Sequence, residues 1–319
     1  MTTRPVVLLW TNESGVYADA AREAGLGDRV EFHTARLGET PPTELMARVE
    51  GMLAWRAGPG VLPGMLRLRW VQGLTAGMEG WLALPDMPAG VALTCARGTH
   101  RVQMPENILA ALFHLTKPFA AIAFDQRERR WTRRVSEPLA GKTLGILGLG
   151  AIGQEVARKA AALELRVIGA RRSPAPMDHV ERVYGPDGID EVLARSDFVL
   201  LLLPATSETR GFMNAARLRS MKPSAYLLNF GRGELVVDAD LVDAVRRRVI
   251  AGAVLDVFTT EPLPAAHPFW VTEGITVLPH LGGLHPERDR LVAELFVENL
   301  RRFLDGGQLL QVVDRALGY

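Results

Sequence analysis

The sequence predicts an α/β fold in two domains, the larger built on a doubly wound parallel sheet. Three observations carry that prediction. Short aliphatic runs alternate with helical stretches from residue 140 to 280, a glycine-rich turn follows the first of those runs, and a weaker version of the rhythm fills residues 5–96. At 319 residues the chain is long enough for two cores rather than one.

In chain order, "PVVLLW" (5–10), "RVEFHTA" (29–35), "GMLAWR" (51–56), "RWVQGL" (69–74) and "VALTCA" (91–96) are candidate strands, separated by helical "YADAAREAG" and "PTELMARVE" among others. Residues 104–131 suit one or two helices, with Pro118 as a possible kink. "KTLGILGLG" (142–150), "LRVIGAR" (165–171), "DFVLLLLP" (197–204), "AYLLNFG" (225–231), "VIAGAVLDV" (249–257) and "GITVLPH" (274–280) are aliphatic and bounded by Gly, Pro or polar residues. Between them "IGQEVARKAAAL", "GIDEVLARS", "NAARLRSM" and "ADLVDAVRRR" carry apolar positions at three-to-four spacing, so the strands should lie parallel and be buried on both faces. A last helix is expected over 287–306. These divisions place a first domain segment at 1–100, a nucleotide-binding domain with its leading helix at 101–285, and a returning helix at 286–319.

Composition narrows the function. Net charge is +1, which does not predict nucleic-acid or anionic-membrane partners. The stretch "RERRWTRR" (127–134) holds five arginines, but in so balanced a chain it reads as a solvated linker. One cysteine, Cys95, leaves no internal disulfide and fits a reducing cytoplasm. The apolar part of "RPVVLLW" is shorter than the roughly 7–15 residues of a signal-peptide core, and no apolar run approaches the roughly 18 needed to cross a bilayer. A soluble, cytoplasmic protein is expected. Neither His-Glu-x-x-His nor a Cys-x-x-Cys pair is present, so no metal is expected.

"TLGILGLGAIGQEVA" sets Gly148, Gly150 and Gly153 in a G-x-G-x-x-G pattern after a strand and at the start of a helix. One glycine allows the tight turn, the next lets a pyrophosphate approach the backbone, and the third lets helix and strand pack closely. Phosphates would sit on the helix N-terminus at Ala151 and Ile152. That is the fingerprint of a Rossmann-like dinucleotide site. An NAD site carries a carboxylate about 20 residues on. Here Arg171, Arg172 and Ser173 stand instead, and guanidinium groups suit a 2′-phosphate. NADP(H) is therefore expected ahead of NAD(H), the other reading being that both arginines are solvated strand-end charges.

Three later motifs, "NFGRGE" (229–234), "LDVFTTEPLP" (255–264) and "VLPHLGG" (277–283), each end a candidate strand. Catalytic groups in open α/β sheets gather at those ends, so Arg232, Glu261 and His280 could converge. A histidine can deliver a proton near neutrality, a neighbouring carboxylate favours its charged form, and an arginine fork matches a substrate carboxylate.

With these motifs, and with "GKTLGILGLGAIG" and "LLLPATSETRGFMN" in the same order and spacing, the chain resembles the D-isomer-specific 2-hydroxyacid dehydrogenases over nearly its whole length. The arginine-bearing strand end and terminal "VDRALGY" look most like their glyoxylate/hydroxypyruvate reductase branch. The resemblance implies two Rossmann-like domains, the smaller one flavodoxin-like, with the active site in the cleft between them and a homodimer formed through the helices at 104–131. It implies that Arg232 clamps the substrate carboxylate, that His280 donates the proton and that Glu261 orients it. His285 is the competing donor. Ala76 and Gly77 in "VQGLTAGMEGW" map to a loop whose amides bind the carboxylate, and Asp256, Pro204 and Phe230 map to positions along the cofactor. Leu278 stands where the family commonly has Thr. The expected activity is NADPH-dependent reduction of a small 2-oxo acid. Runners-up are an NAD-linked dehydrogenase of another D-2-hydroxy acid and a nucleotide-sensing binding protein. Formate oxidation is disfavoured, since those relatives carry Gln in place of the Glu. Trp10, Trp55, Trp81 and Trp131 are candidates to line the substrate pocket, with a core position the expected reading for each.

Overall fold

The computed structural model describes residues 4–318. In chain order the strands and helices are β1 (Val6–Trp10), α1 (Ser14–Glu23), β2 (Glu31–Ala35), α2 (Thr43–Met46), β3 (Val49–Ala54), β4 (Trp70–Gly73), α3 (Glu79–Leu82), β5 (Ala92–Thr94), α4 (Gln103–Thr116), α5 (Phe119–Arg127), β6 (Thr143–Leu147), α6 (Ala151–Ala162), β7 (Arg166–Ala170), β8 (Arg182–Tyr184), α7 (Ile189–Arg195), β9 (Phe198–Leu201), α8 (Ala215–Arg219), β10 (Tyr226–Asn229), α9 (Asp238–Arg246), β11 (Gly252–Leu255), β12 (Ile275–Val277) and α10 (Arg288–Asp305). They divide into two compact units, one running to Thr99 and resuming at His285, the other His100–Leu284.

The first unit holds a parallel sheet in the order β2-β1-β3-β4-β5, the flavodoxin-like arrangement. Strand β1, between β2 and β3, is apolar and buried at every position because both its faces are covered. Val6, Leu8 and Trp10 enter one core cluster while Val7 and Leu9 enter the other. Helix α10 closes the second cluster: Val292, Phe296 and Leu300 are buried, with Phe296 stacked on Trp70 at 5.7 Å between centroids. The segment after α10 returns alongside β5, where Thr94 and Val312 form an antiparallel bridge.

The second unit is the doubly wound sheet, β12-β11-β10-β9-β6-β7-β8, all parallel. Alternation again splits each strand between two cores: Val199 and Leu201 face one, Phe198 and Leu200 the other. Sequence order reverses between β6 and β9, which is where ligands bind such sheets.

Three sequence expectations change, while the break at Pro118 holds. Strand β8 was not foreseen. The helix expected in "PTELMARVE" stops at Met46, because Val49 is drawn into the sheet opposite Val6. Pro118 separates two helices, α4 and α5, which meet at 65°. Trp10 and Trp81 are core residues, whereas Trp131 is 94% exposed; Phe119 and Phe124 are exposed as well. Among the described residues no single helix is long and apolar enough to cross a membrane.

Candidate active site

The glycine turn between β6 and α6 is shaped by contacts that leave no room for a side chain at Gly148 or Gly153. Gly148 adopts φ +113°, and a Cβ on it would lie 2.7 Å from the Leu202 carbonyl oxygen. A Cβ on Gly153 would lie 2.4 Å from the Gly148 oxygen, so the third glycine lets α6 start against the turn. Gly150, the N-cap of α6, has open space around it and no side chain capping the helix. The first turn of α6 carries no acidic residue either, so Ala151, Ile152 and Gly153 present amides suited to an anion. The Gly148 amide donates to the Ala170 carbonyl at 3.0 Å, tying the turn to the tip of β7. Arg171 and Arg172 follow directly. Arg171 is half-buried with its amide on the Tyr184 carbonyl of β8, while Arg172 and Ser173 are exposed. Arg172 lies 3.8 Å from Glu208, on the loop after β9. A glycine cradle, a helix N-terminus and two cations at the neighbouring strand tip fit a dinucleotide carrying a further phosphate.

The loops after β10, β11 and β12 bear the other charged candidates. Asn229 ends β10 and folds the next turn with its side chain: Oδ1 accepts from the Gly231 amide at 3.1 Å and Nδ2 donates to the Arg232 carbonyl at 2.8 Å. The glycines around Arg232 are required by close approach. A Cβ on Gly231 would lie 2.9 Å from the Leu203 oxygen, and one on Gly233 only 2.0 Å from the Phe258 carbonyl carbon. Arg232 is thereby held against the loop that carries Glu261, with its Nη1 on the Gly231 carbonyl at 2.7 Å. Glu261 uses both oxygens. Oε1 accepts from the Phe258 amide at 2.9 Å, and Oε2 lies 2.6 Å from His280 Nδ1. With Nδ1 engaged, His280 Nε2 is the nitrogen left to act, and the ring is half-exposed.

Asp256 proves to be the brace beneath this histidine. It is buried, and its two oxygens accept from the Leu281 and Gly282 amides at 2.8 and 2.9 Å. Burial pushes its carboxyl above the usual range, opposed by those two amides. Phe230 is 1% exposed and packs in the core. The Pro204 carbonyl accepts from Thr209 Oγ1 at 2.6 Å. His285, the competing donor, belongs to the other compact unit. Sequence reasoning overlooked the shaping role of Asn229, although the residue lies inside the quoted motif.

The Ala76–Gly77 loop follows β4 in the first unit. Its carbonyls are held from behind: Leu74 accepts from the buried Arg288 guanidinium, Thr75 from the Ala96 amide at 2.8 Å, and Gly77 from Thr75 Oγ1 at 2.6 Å. Arg288 stacks over the Trp55 ring at 4.1 Å and also pairs with Asp289. Backbone amides beside small residues are the kind of group that can take an anion.

Residues 109–282 match the family model described as "D-isomer specific 2-hydroxyacid dehydrogenase, NAD binding domain". The chain is also 34% identical to glyoxylate/hydroxypyruvate reductase A of Serratia proteamaculans across 84% of this chain and 87% of that relative. It belongs to the D-isomer specific 2-hydroxyacid dehydrogenases. Two solved structures extend the match. A member from Xanthobacter autotrophicus, in complex with NADPH and MES, is 30% identical with a TM-score of 0.88, covering 99% of this chain and all of that one. An NADPH-dependent glyoxylate/hydroxypyruvate reductase from Sinorhizobium meliloti, in complex with NADP and sulfate, is 29% identical with a TM-score of 0.86 at the same coverage. As a member of these dehydrogenases the protein is an oxidoreductase.

Proposed function

We propose that this dehydrogenase reduces a small 2-oxo acid, glyoxylate or hydroxypyruvate first, to the D-2-hydroxy acid with NADPH. The observation that carries the reading is the 2.6 Å contact of Glu261 with His280 Nδ1, on the same patch of loops as Arg232. When bound, the reduced nicotinamide supplies the hydride that goes to the carbonyl carbon. Arg232 pairs with the substrate carboxylate and polarises the carbonyl. The developing alkoxide takes the proton from His280 Nε2, and Glu261 offsets the charge on the imidazolium before transfer. Arg171 and Arg172 directly after β7 support the phosphorylated cofactor, and the similar reductase from Sinorhizobium meliloti was solved in complex with NADP. The relatives named glyoxylate/hydroxypyruvate reductase A support the substrate.

The test is a panel of 2-oxo acids run with both cofactors. NADPH oxidation should be fastest with glyoxylate or hydroxypyruvate. Replacing Arg171 and Arg172 together with alanine should raise the KM for NADPH about tenfold or more and leave that for NADH nearly unchanged. Oxidation of neither cofactor with any member of the panel removes the reading. Equal use of both cofactors removes the preference alone.

A further inference from the structure

We propose that Asn107, on α4, is a positioning residue for the proton donor, holding the His280 loop from the side opposite Asp256; the inference rests on the reading of His280 given above. Asn107 Nδ2 donates to the Leu281 carbonyl at 3.1 Å and to the Gly282 carbonyl at 3.2 Å. The amides of the same two residues donate to Asp256. Both residues after His280 are thus gripped at both poles, their N–H groups by a carboxylate from β11 and their C=O groups by an amide from α4.

That grip is needed because His280 itself sits at φ 52°, the left-handed region that a non-glycine residue enters only when its surroundings hold it there. Gly282 cannot carry a side chain without meeting Asp256, since a Cβ would lie 2.7 Å from Oδ2. The orientation of the Asn107 amide is set in turn. Gln103, one helical turn earlier on α4, reaches Asn107 Oδ1 with its Nε2 at 3.4 Å, which directs the Asn107 NH₂ toward the loop. Only an amide supplies two donors on one nitrogen here; an alanine supplies none, and a carboxylate presents acceptors to two carbonyl oxygens.

The consequence for the reaction is geometric. Proton delivery from Nε2 depends on where the ring stands, and sub-ångström displacement of a reacting group costs rate rather than binding. The hydrogen bonds of Asn107 go to Gln103, Leu281 and Gly282 and not to the glycine turn or the β7 tip, so the KM for NADPH should change little.

Wild type, Asn107→Ala, Asn107→Asp and His280→Ala are compared for kcat, for KM of the 2-oxo acid and of NADPH, and for Tm. The expected result is a kcat about tenfold lower in Asn107→Ala with the KM for NADPH unchanged, and lower still in Asn107→Asp. The order is diagnostic, because aspartate fills the space of asparagine and a residue that only packs would favour it over alanine. His280→Ala should lose kcat by roughly a thousandfold or more. Wild-type kcat in both Asn107 variants, or an aspartate variant faster than the alanine one, overturns the role of Asn107 and leaves that of His280 standing. Turnover retained in His280→Ala, or absent from wild type, overturns both.

Discussion

The carboxyl edges of the two sheets solve different problems with different parts of the chain. In the second unit the edge presents side chains: Arg232, Glu261 and His280, each on a short loop braced by a further side chain or by close backbone contact. In the first unit the edge after β4 presents backbone: the Ala76 and Gly77 amides, with the carbonyls of Leu74, Thr75 and Gly77 turned back and bonded. A group that must transfer a proton or pair with a carboxylate by a fork has to be a side chain with the right chemistry. A group that only recognises an anion can be a peptide N–H, and then what matters is that nothing larger stands in the way.

The comparison is most easily broken at Arg232. Arg232→Gln leaves a shorter, neutral amide and removes the charge and the fork, so kcat/KM for the 2-oxo acid should fall by roughly 100- to 1000-fold. Arg232→Lys restores the charge without the fork and should recover only part of that loss. Full recovery by lysine would mean that the second unit's edge needs a positive charge and not a shaped clamp.

The backbone-built edge should respond differently. Arg288 is buried and donates to the Leu74 carbonyl, so it sets the shape of the loop without presenting itself to a ligand. If the Ala76 and Gly77 amides take the substrate carboxylate, Arg288→Met should raise the KM for the 2-oxo acid about tenfold while kcat changes by about threefold or less. A kcat loss as large as that of the Arg232 variants would place the loop in the chemistry itself and erase the distinction.

The same contrast decides what can be read from sequence. Arg232, Glu261 and His280 were legible because their chemistry is in the side chain and their setting is a short motif. The glycines at 148, 150 and 153 were legible because a missing side chain also has a pattern. Asn107 gave no such signal: its partners lie 174 and 175 residues away and are carbonyl groups, which every residue has. At the level of the fold, the aliphatic runs marked their strands, since burial on both faces demands them. Strand β8, three residues of "RVY" paired only with β7, has no such run and passed unnoticed. Met46 and Val49 show tertiary structure overriding local period, as the helical spacing of "PTELMARVE" runs on into residues that pair with β1.

The opposite, amino-terminal edge of the second sheet supplies the smallest effect and a control. Asp197, just before β9, accepts from the Thr143 amide that opens β6 and from Lys222 Nζ, both at 2.8 Å. Burial pushes its carboxyl up, but the Lys222 hydrogen bond and the Thr143 amide outweigh that and hold it below the usual range. A carboxyl lowered on folding contributes stability that is present above its unfolded value of about 4 and is lost as pH falls through the folded value. Asp197→Asn should therefore cost about 1–2 kcal/mol near neutral pH, the side chain being only about a quarter exposed, and the gap to wild type should close in acid. Kinetic constants should not move, because both bonds tie the ends of strands at the edge away from Arg232 and His280. A changed kcat with unchanged stability would show that this edge is coupled to the chemistry, and that the division between a reacting edge and a bracing edge does not hold.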